Sequence, residues 1–225
     1  MSDANDGANN SSKPVLVLIL GTRSFAEDAF DVIDDTPGYR VTGFVENLER
    51  NRCDELLLGL PVHWVDELPR FAATHHALCA LSTTHRSQFT REAADHGMRF
   101  TTVVHPTARV SSRSSLGAGT LIAPGVVVAA FTTLGQHVIV NRSASIGHHT
   151  TIGDHVSIQP GANVAGACRI ADAAYIGMGS VVIDKLVIGA HAVVGAGAVV
   201  TKDVPANVMV MGVPARVVRE NVSGK

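Results

Sequence analysis

Counted in sixes from Val104, every position up to Val200 is aliphatic: Val104, Val110, Leu116, Ile122, Val128, Leu134, Val140, Ile146, Ile152, Ile158, Val164, Ile170, Ile176, Val182, Ile188, Val194 and Val200. No gap or insertion breaks the count. Four residues after the aliphatic the side chain is usually small or β-branched, as at Ala108, Thr120, Val126, Ala144, Val156, Ala162, Ser180, Ala192 and Ala198. Such a period is neither the 3.6 of an amphipathic helix nor simple alternation. One large and one small inward side chain in every six residues describe a flat strand followed by a tight corner. Three units make a triangular coil, and coils stack through parallel-strand hydrogen bonds. About six coils at ~4.8 Å each predict a prism about 27 Å tall.

The pattern upstream is different. Val15 to Leu20 is a continuous apolar run ending at Gly21, as in a buried parallel strand. Phe25 to Ile33 has helical spacing, and Val41 to Val45 predicts a second strand. Pro61 to Trp64 and Ala77 to Leu81 are further strand candidates, and Phe89 to His96 is an amphipathic helix stopped by Gly97. Strands alternating with helices predict a small Rossmann-like βαβ domain over residues 14–102. The β-helix then occupies 103–205, and 206–225 form a C-terminal segment. The turn Gly21-Thr22-Arg23-Ser24-Phe25-Ala26 lacks the glycine-rich dinucleotide fingerprint, which argues against a nicotinamide cofactor. A strand, a turn and a helix N-terminus still suit a phosphate or nucleotide.

Composition narrows the picture. Aromatic residues are 4% of the 225 against 46% hydrophobic overall, so the core is built from Val, Ile, Leu and Ala. A formal charge of −2 with no basic block gives no support to a nucleic-acid partner. Residues 1–13 are small and polar, which predicts a disordered tail without the features of a secretory signal. The longest apolar run is too short to span a bilayer. Cys53, Cys79 and Cys168 follow no metal spacing and fit a reducing cytoplasm.

The six-residue pattern resembles the hexapeptide-repeat acyltransferases, whose parallel β-helix is left-handed. The ending Met211-Gly212-Val213-Pro214-Ala215-Arg216 contains the Gly-x-Pro-Ala segment that in those proteins precedes a short terminal helix. The order of parts is similar to the bacterial sugar O/N-acyltransferases, which include sialic acid O-acetyltransferases and N-acetyltransferases of nucleotide-linked 4-amino sugars. The sharpest match is Asn141 to Gly166, "NRSASIGHHTTIGDHVSIQPGANVAG". The resemblance implies acetyl-CoA as acyl donor, a nucleotide sugar as acceptor, a homotrimer and no metal. It makes His148 the general base, a task suited to imidazole at neutral pH, with backbone N–H groups near Gly166 steadying the oxyanion.

The resemblance also assigns Gly166, Met178 and Ala196 to the acetyl-CoA site, and Arg23, Ser24 and Phe25 to the sugar nucleotide. Three departures stand out. His149 occupies the place of the carboxylate that raises the basicity of the base, with Asp154 the nearest downstream carboxylate. Ser157 occupies the place of a histidine near the thioester, with His155 two residues away as a candidate substitute. Glu46-Asn47 replaces an acidic pair that contacts the nucleotide base.

Two other readings compete. A non-catalytic scaffold on the same fold would need neither the stretch carrying His148 nor the Gly-x-Pro-Ala ending. A γ-carbonic-anhydrase-like zinc site would need His at Ala130, Gly166 and Ala171, where there is none. His137, His155 and His191 fall on one corner of the prism and read as corner residues, with a metal as the alternative.

Overall fold

The computed structural model describes residues 13–225; the expected disordered tail, Lys13 apart, lies outside them. The N-terminal part is a sheet of β1 (Val15–Leu20), β2 (Tyr39–Glu46), β3 (Leu56–Leu57), β4 (Leu60–Trp64), β5 (His75–Cys79) and β6 (Arg99–Phe100). Its order is β3-β4-β2-β1-β5-β6, parallel except for the β3–β4 hairpin. Helix α1 (Ser24–Asp34) covers one face and α2 (Ser87–Asp95) the other. The chain reverses its direction of winding between β1 and β5, the place where open α/β sheets hold ligands at the carboxyl ends of their strands.

The rest is a left-handed parallel β-helix of two-residue strands, β7 (Val103–Val104) through β23 (Val199–Val200). They form three faces. Each face pairs residues eighteen apart, as in Leu121↔Ile139↔Ser157 and Val127↔Ser145↔Asn163. The aliphatics of the six-residue count fill the prism, and from Ile122 onward all are almost fully buried. The small positions complete the packing. Their hydroxyls are satisfied by carbonyls, as in Thr120 Oγ1 to Gly135 O (3.0 Å) and Thr132 Oγ1 to Gly147 O (2.9 Å). Cys168 continues that ladder, its Sγ 3.2 Å from Ile183 O, so it is a packed core thiol.

The corners require left-handed backbone. Phe131, His149, Ala167 and Lys185 have φ of 60°, 57°, 59° and 62° on one edge, and His137, His155 and His191 have 55°, 57° and 58° on another. Each such residue costs about 1–2 kcal/mol, which the inward aliphatics must offset in every coil.

One face is buried by the N-terminal part. Val103, Leu121 and Ile139 point outward from the prism, yet they are buried against β1 and α1. Arg86, wholly buried, joins the two parts: it donates to His137 O and Val156 O (both 2.8 Å from Nη2), to Ser157 Oγ and to Thr83 O. The second, open face presents Arg109, Val127, Ser145, Asn163, Val181 and Val199, and Val127 and Val181 are exposed. The third, polar face presents Ser115, Thr133, Thr151, Arg169 and Val187.

The C-terminal segment differs from expectation. Instead of a short helix, β24 (Val208–Met211) adds to the docked face beside β22 (Val193–Val194), and β25 (Arg216–Glu220) folds back on it antiparallel. The run Val208-Met209-Val210-Met211 explains this, because alternate β-prone side chains fit a half-buried strand (Val208 and Val210 are buried).

On the edge between polar and docked faces, His137 and His155 stack with centroids 5.0 Å apart, and Phe100 meets His137 edge-on at 4.5 Å. Their buried Nδ1 atoms have no hydrogen-bond partner among the described residues. Burial, then His155 and the Arg86 guanidinium, push His137 down to about 4 against the opposing pull of Asp154. Burial and Arg86 also lower His155, against Asp154 and Asp172. Both therefore fold neutral, and between about pH 6.5 and 4 the unfolded chain binds more protons. Stability is accordingly full above about pH 6.5 and falls by about 1–3 kcal/mol as pH drops toward 5 and below. Urea denaturation at pH 7.5 and 5 checks this; a His137→Gln variant should lose less, and equal losses in both proteins would contradict it.

Candidate functional site

His148 and His149 occupy the turn between β14 (Ser145–Ile146) and β15 (Thr151–Ile152), on the edge where the open and polar faces meet. The turn is tied to both neighbouring coils: His149 N donates to Ala130 O (3.1 Å), and His148 O accepts from Ala167 N (2.7 Å). Both side chains are exposed. His148 Nδ1 lies 3.0 Å from His149 Nδ1, with the rings nearly perpendicular at 86°. The His148 ring rests against Gly166 of the next coil. A Cβ at Gly166 would stand 2.8 Å from Cε1 and 2.9 Å from Nε2, so only glycine lets the ring lie there. Neighbouring Ala165 N and Ala167 N donate to Val182 O and His148 O, while Gly166 N makes no such bond among the described residues. His149 packs on Phe131, centroids 4.9 Å apart, and Arg113 lies 6.0 Å from the Phe131 centroid.

The two substitutes considered for the departures are elsewhere. Asp154 and His155 belong to the edge between polar and docked faces. There Asp154 Oδ1 accepts from Gln136 N (2.7 Å), and His155 stacks on His137. Ser157 corrects a further expectation. It sits on the docked face, fully buried, with its Oγ taking a hydrogen bond from Arg86 Nη1 (2.8 Å). A nine-residue step is half a coil, which carries Ser157 to the far side of the prism and under the N-terminal part.

Met178 and Ala196 come together on the other edge of the open face, in a groove of about 320 Å³. Its wall is mainly apolar, with Gly177, Gly195 and Met211 along it. Tyr175 and Lys225 close one side, Lys225 Nζ standing 4.7 Å from the Tyr175 centroid. Gly166 is thus separated from Met178 and Ala196 by the full width of the open face.

The N-terminal crevice, about 240 Å³, opens at the ends of β1 and β2 and is lined by Thr22, Glu49, Asn51, Arg52, Glu55 and Leu56, among others. Arg23 and Ser24 are exposed at the start of α1, and Phe25 is half-buried. Arg23 pairs with Glu49, which also takes Arg52 Nε at 3.1 Å. Glu46 and Asn47 do not point into the crevice as expected. Burial pushes the Glu46 carboxyl up, but the Thr22 hydroxyl and the N–H groups of Leu48, Asn47 and Glu49 outweigh it and hold it below its ordinary value. Asn47 Nδ2 donates to Glu92 of α2 (2.7 Å). The pair therefore builds the loop. Thr22, Glu49 and Arg52, which the sequence reading passed over, are the polar groups of the crevice. Phe131 was findable, since it lies eighteen residues before His149; Arg86 gave no signal beyond being one arginine among several.

Among the described residues no group of three or more His, Cys, Asp or Glu is placed to hold a metal ion. No helix there is long and apolar enough to cross a membrane.

The chain matches the bacterial transferase hexapeptide (six repeats) family over residues 131–166 and 167–202. It is similar to the structure of PerB from Caulobacter crescentus in complex with CoA and GDP-perosamine, at 30% identity, covering 89% of this chain and 96% of that one with a TM-score of 0.82. The acetyltransferase domain of PglB from Neisseria gonorrhoeae in complex with acetyl coenzyme A is 26% identical, with 91% and 100% covered and a TM-score of 0.83. WeeI from Acinetobacter baumannii is 27% identical, with 91% and 100% covered and a TM-score of 0.83. No curated protein sequence matches the chain.

The Gly166 contact makes a direct prediction. In Gly166→Ala the new methyl displaces the His148 ring and breaks its contact with His149, at little cost in stability because the ring is the far end of an exposed side chain. NMR of the two imidazoles reads the change; a preserved His148–His149 cross-peak would show that the glycine does not set the ring's position.

Proposed function

Because the chain belongs to the hexapeptide-repeat bacterial sugar O/N-acyltransferases, we propose that it moves the acetyl group of acetyl-CoA to the amino group of a nucleotide-linked sugar, with His148 as general base. The observation that carries the reading is the seating of His148 against Gly166, on an exposed edge, with a backbone N–H beside the ring. The acceptor nitrogen attacks the thioester carbonyl and gives its proton to His148 Nε2. The Gly166 N–H faces the oxygen on which charge develops. The carbon–sulfur bond then breaks, and the proton held by His148 goes to the departing thiolate, giving CoA.

The donor lies along the prism. Met178 and Ala196 follow His148 by somewhat less than two and three coils, hence ~8 and ~13 Å along the axis, a length suited to a pantetheine arm. They are across the open face from His148 in the same chain, so a complete site needs a second chain. A homotrimer with three open faces turned to a common axis sets one chain's His148 edge beside the next chain's Met178 edge. The exposed Val127, Val181 and Ile183 on and beside that face favour this arrangement.

The acceptor is held by the N-terminal part. The start of α1 offers N–H groups without a side-chain cap, an anion site by virtue of its dipole, and Arg23 and Arg52 add positive charge for the diphosphate. Glu46 keeps Thr22 and the loop in place for this. The PerB structure, in complex with GDP-perosamine, is consistent with an amino-sugar nucleotide as acceptor. The reaction belongs in the cytoplasm, with its acetyl-CoA.

The test is CoA release from acetyl-CoA with UDP-, dTDP- and GDP-linked 4-amino sugars. One acceptor should support turnover, and His148→Ala should lower kcat by about 10²–10⁴. Arg23→Ala should raise KM for the sugar nucleotide and leave that for acetyl-CoA unchanged. Light scattering should give the mass of three chains. Turnover undiminished in His148→Ala would overturn the assignment of the base.

A further inference from the structure

Among the described residues His148 has no carboxylate beside it, and its one side-chain hydrogen-bond partner is His149. We propose that His149 is the positioning residue for His148, a neutral imidazole that accepts at Nδ1, holds the His148 hydrogen on Nδ1 and leaves Nε2 free as the base. The proposal rests on His148 being the base.

Two Nδ1 atoms 3.0 Å apart share one hydrogen, which leaves two arrangements. If His149 donates, His148 carries its hydrogen on Nε2 and has no lone pair for the acceptor's proton. If His148 donates, Nε2 is the lone pair and the site works. As Nε2 takes the proton, His148 becomes cationic and its Nδ1–H bond to His149 becomes charge-assisted, about twice as strong as a neutral one. The interaction therefore strengthens toward the transition state, the condition for it to speed the reaction.

His149 is built to hold still. Its backbone is left-handed at φ 57° and tied to Ala130 O, and its ring is packed on Phe131. The nearest charged groups along this edge are Arg113, two coils to one side, and Lys185, two coils to the other with Asp184 3.6 Å away. The segments packed directly on the pair, Ala130–Phe131 and Gly166–Ala167, carry no titratable side chain. Two protonated Nδ1 atoms facing each other at 3.0 Å would repel, so the contact holds a single hydrogen.

Three variants and two measurements decide this: His149→Leu, His149→Asp and His149→Asn, followed by the pH profile of kcat/KM and by ¹⁵N NMR of the imidazoles. In His149→Leu, kcat should fall about tenfold or more with both KM values within about threefold, since the wrong tautomer disables a base. Its acidic limb should move to lower pH, and His148 should show hydrogen on Nε2. His149→Asp should recover kcat and move the limb up by about one unit or more. His149→Asn, which keeps an acceptor oxygen, should retain the Nδ1–H form and provides the readout if the leucine variant does not fold. Wild-type kcat, limb and tautomer in His149→Leu, or Nε2–H in the wild-type His148, would overturn the proposal. Full activity in His148→Ala would instead remove the assignment of the base itself, while the NMR still decides which imidazole donates.

Discussion

Residues eighteen apart in this chain lie one above another at the spacing of paired strands, because every coil closes after three identical six-residue units. That register comes from the inward aliphatics: a shift of one residue would turn the whole set outward. It converts sequence distance into stacking. Phe131 comes to lie beside His149, Gly166 against His148, and His155 on His137. The site inherits its precision from the ladder. A turn tied to the coils before and after it fixes where the backbone of an exposed histidine starts, and the packing on Gly166 and Phe131 places the rings. The same ladder leaves His148 accessible, since its edge borders the two faces that the N-terminal part does not cover.

The count in sixes made the prism legible, because a pattern unbroken for seventeen positions leaves no other fold to consider. The strands and helices of the N-terminal part were also readable, from apolar runs and from Gly21 and Gly97. What the pattern hid was which side of each face meets another body. Ser157 stands in line with a residue of the family site, yet half a coil of chain carries it beneath Arg86. Glu46 carries the right charge for a ligand contact, but its carboxylate is consumed by Thr22 and three N–H groups of its own loop. The terminal helix expected from the resemblance is a strand pair, since Val208 to Met211 has the alternation of a strand. For Ser157 and Glu46 a partner far away in sequence, Arg86 or Thr22, decided the role, whereas the alternation of Val208 to Met211 was present in the sequence itself.

The two edges of the open face divide the chemistry. One carries His148, the proposed base, and the glycine that seats it; the other carries the apolar groove of Met178 and Ala196. A single chain cannot bring them together, because the prism between them is a close-packed core. In the proposed trimer assembly completes the site, and the coil rise sets how far up the neighbouring prism the donor must reach.

Subunit complementation tests that division most directly. A chain with His148→Ala keeps its groove, and a chain with Ala196→Trp keeps its base while its groove is blocked; each alone should be nearly inactive. Mixed by unfolding and refolding together, they should form hybrid trimers in which an intact edge from each chain meets, and activity should return to a sizeable fraction of wild type. If the mixture is no more active than its parts although hybrids form, the base and the donor groove belong to one chain and the account of the site is wrong.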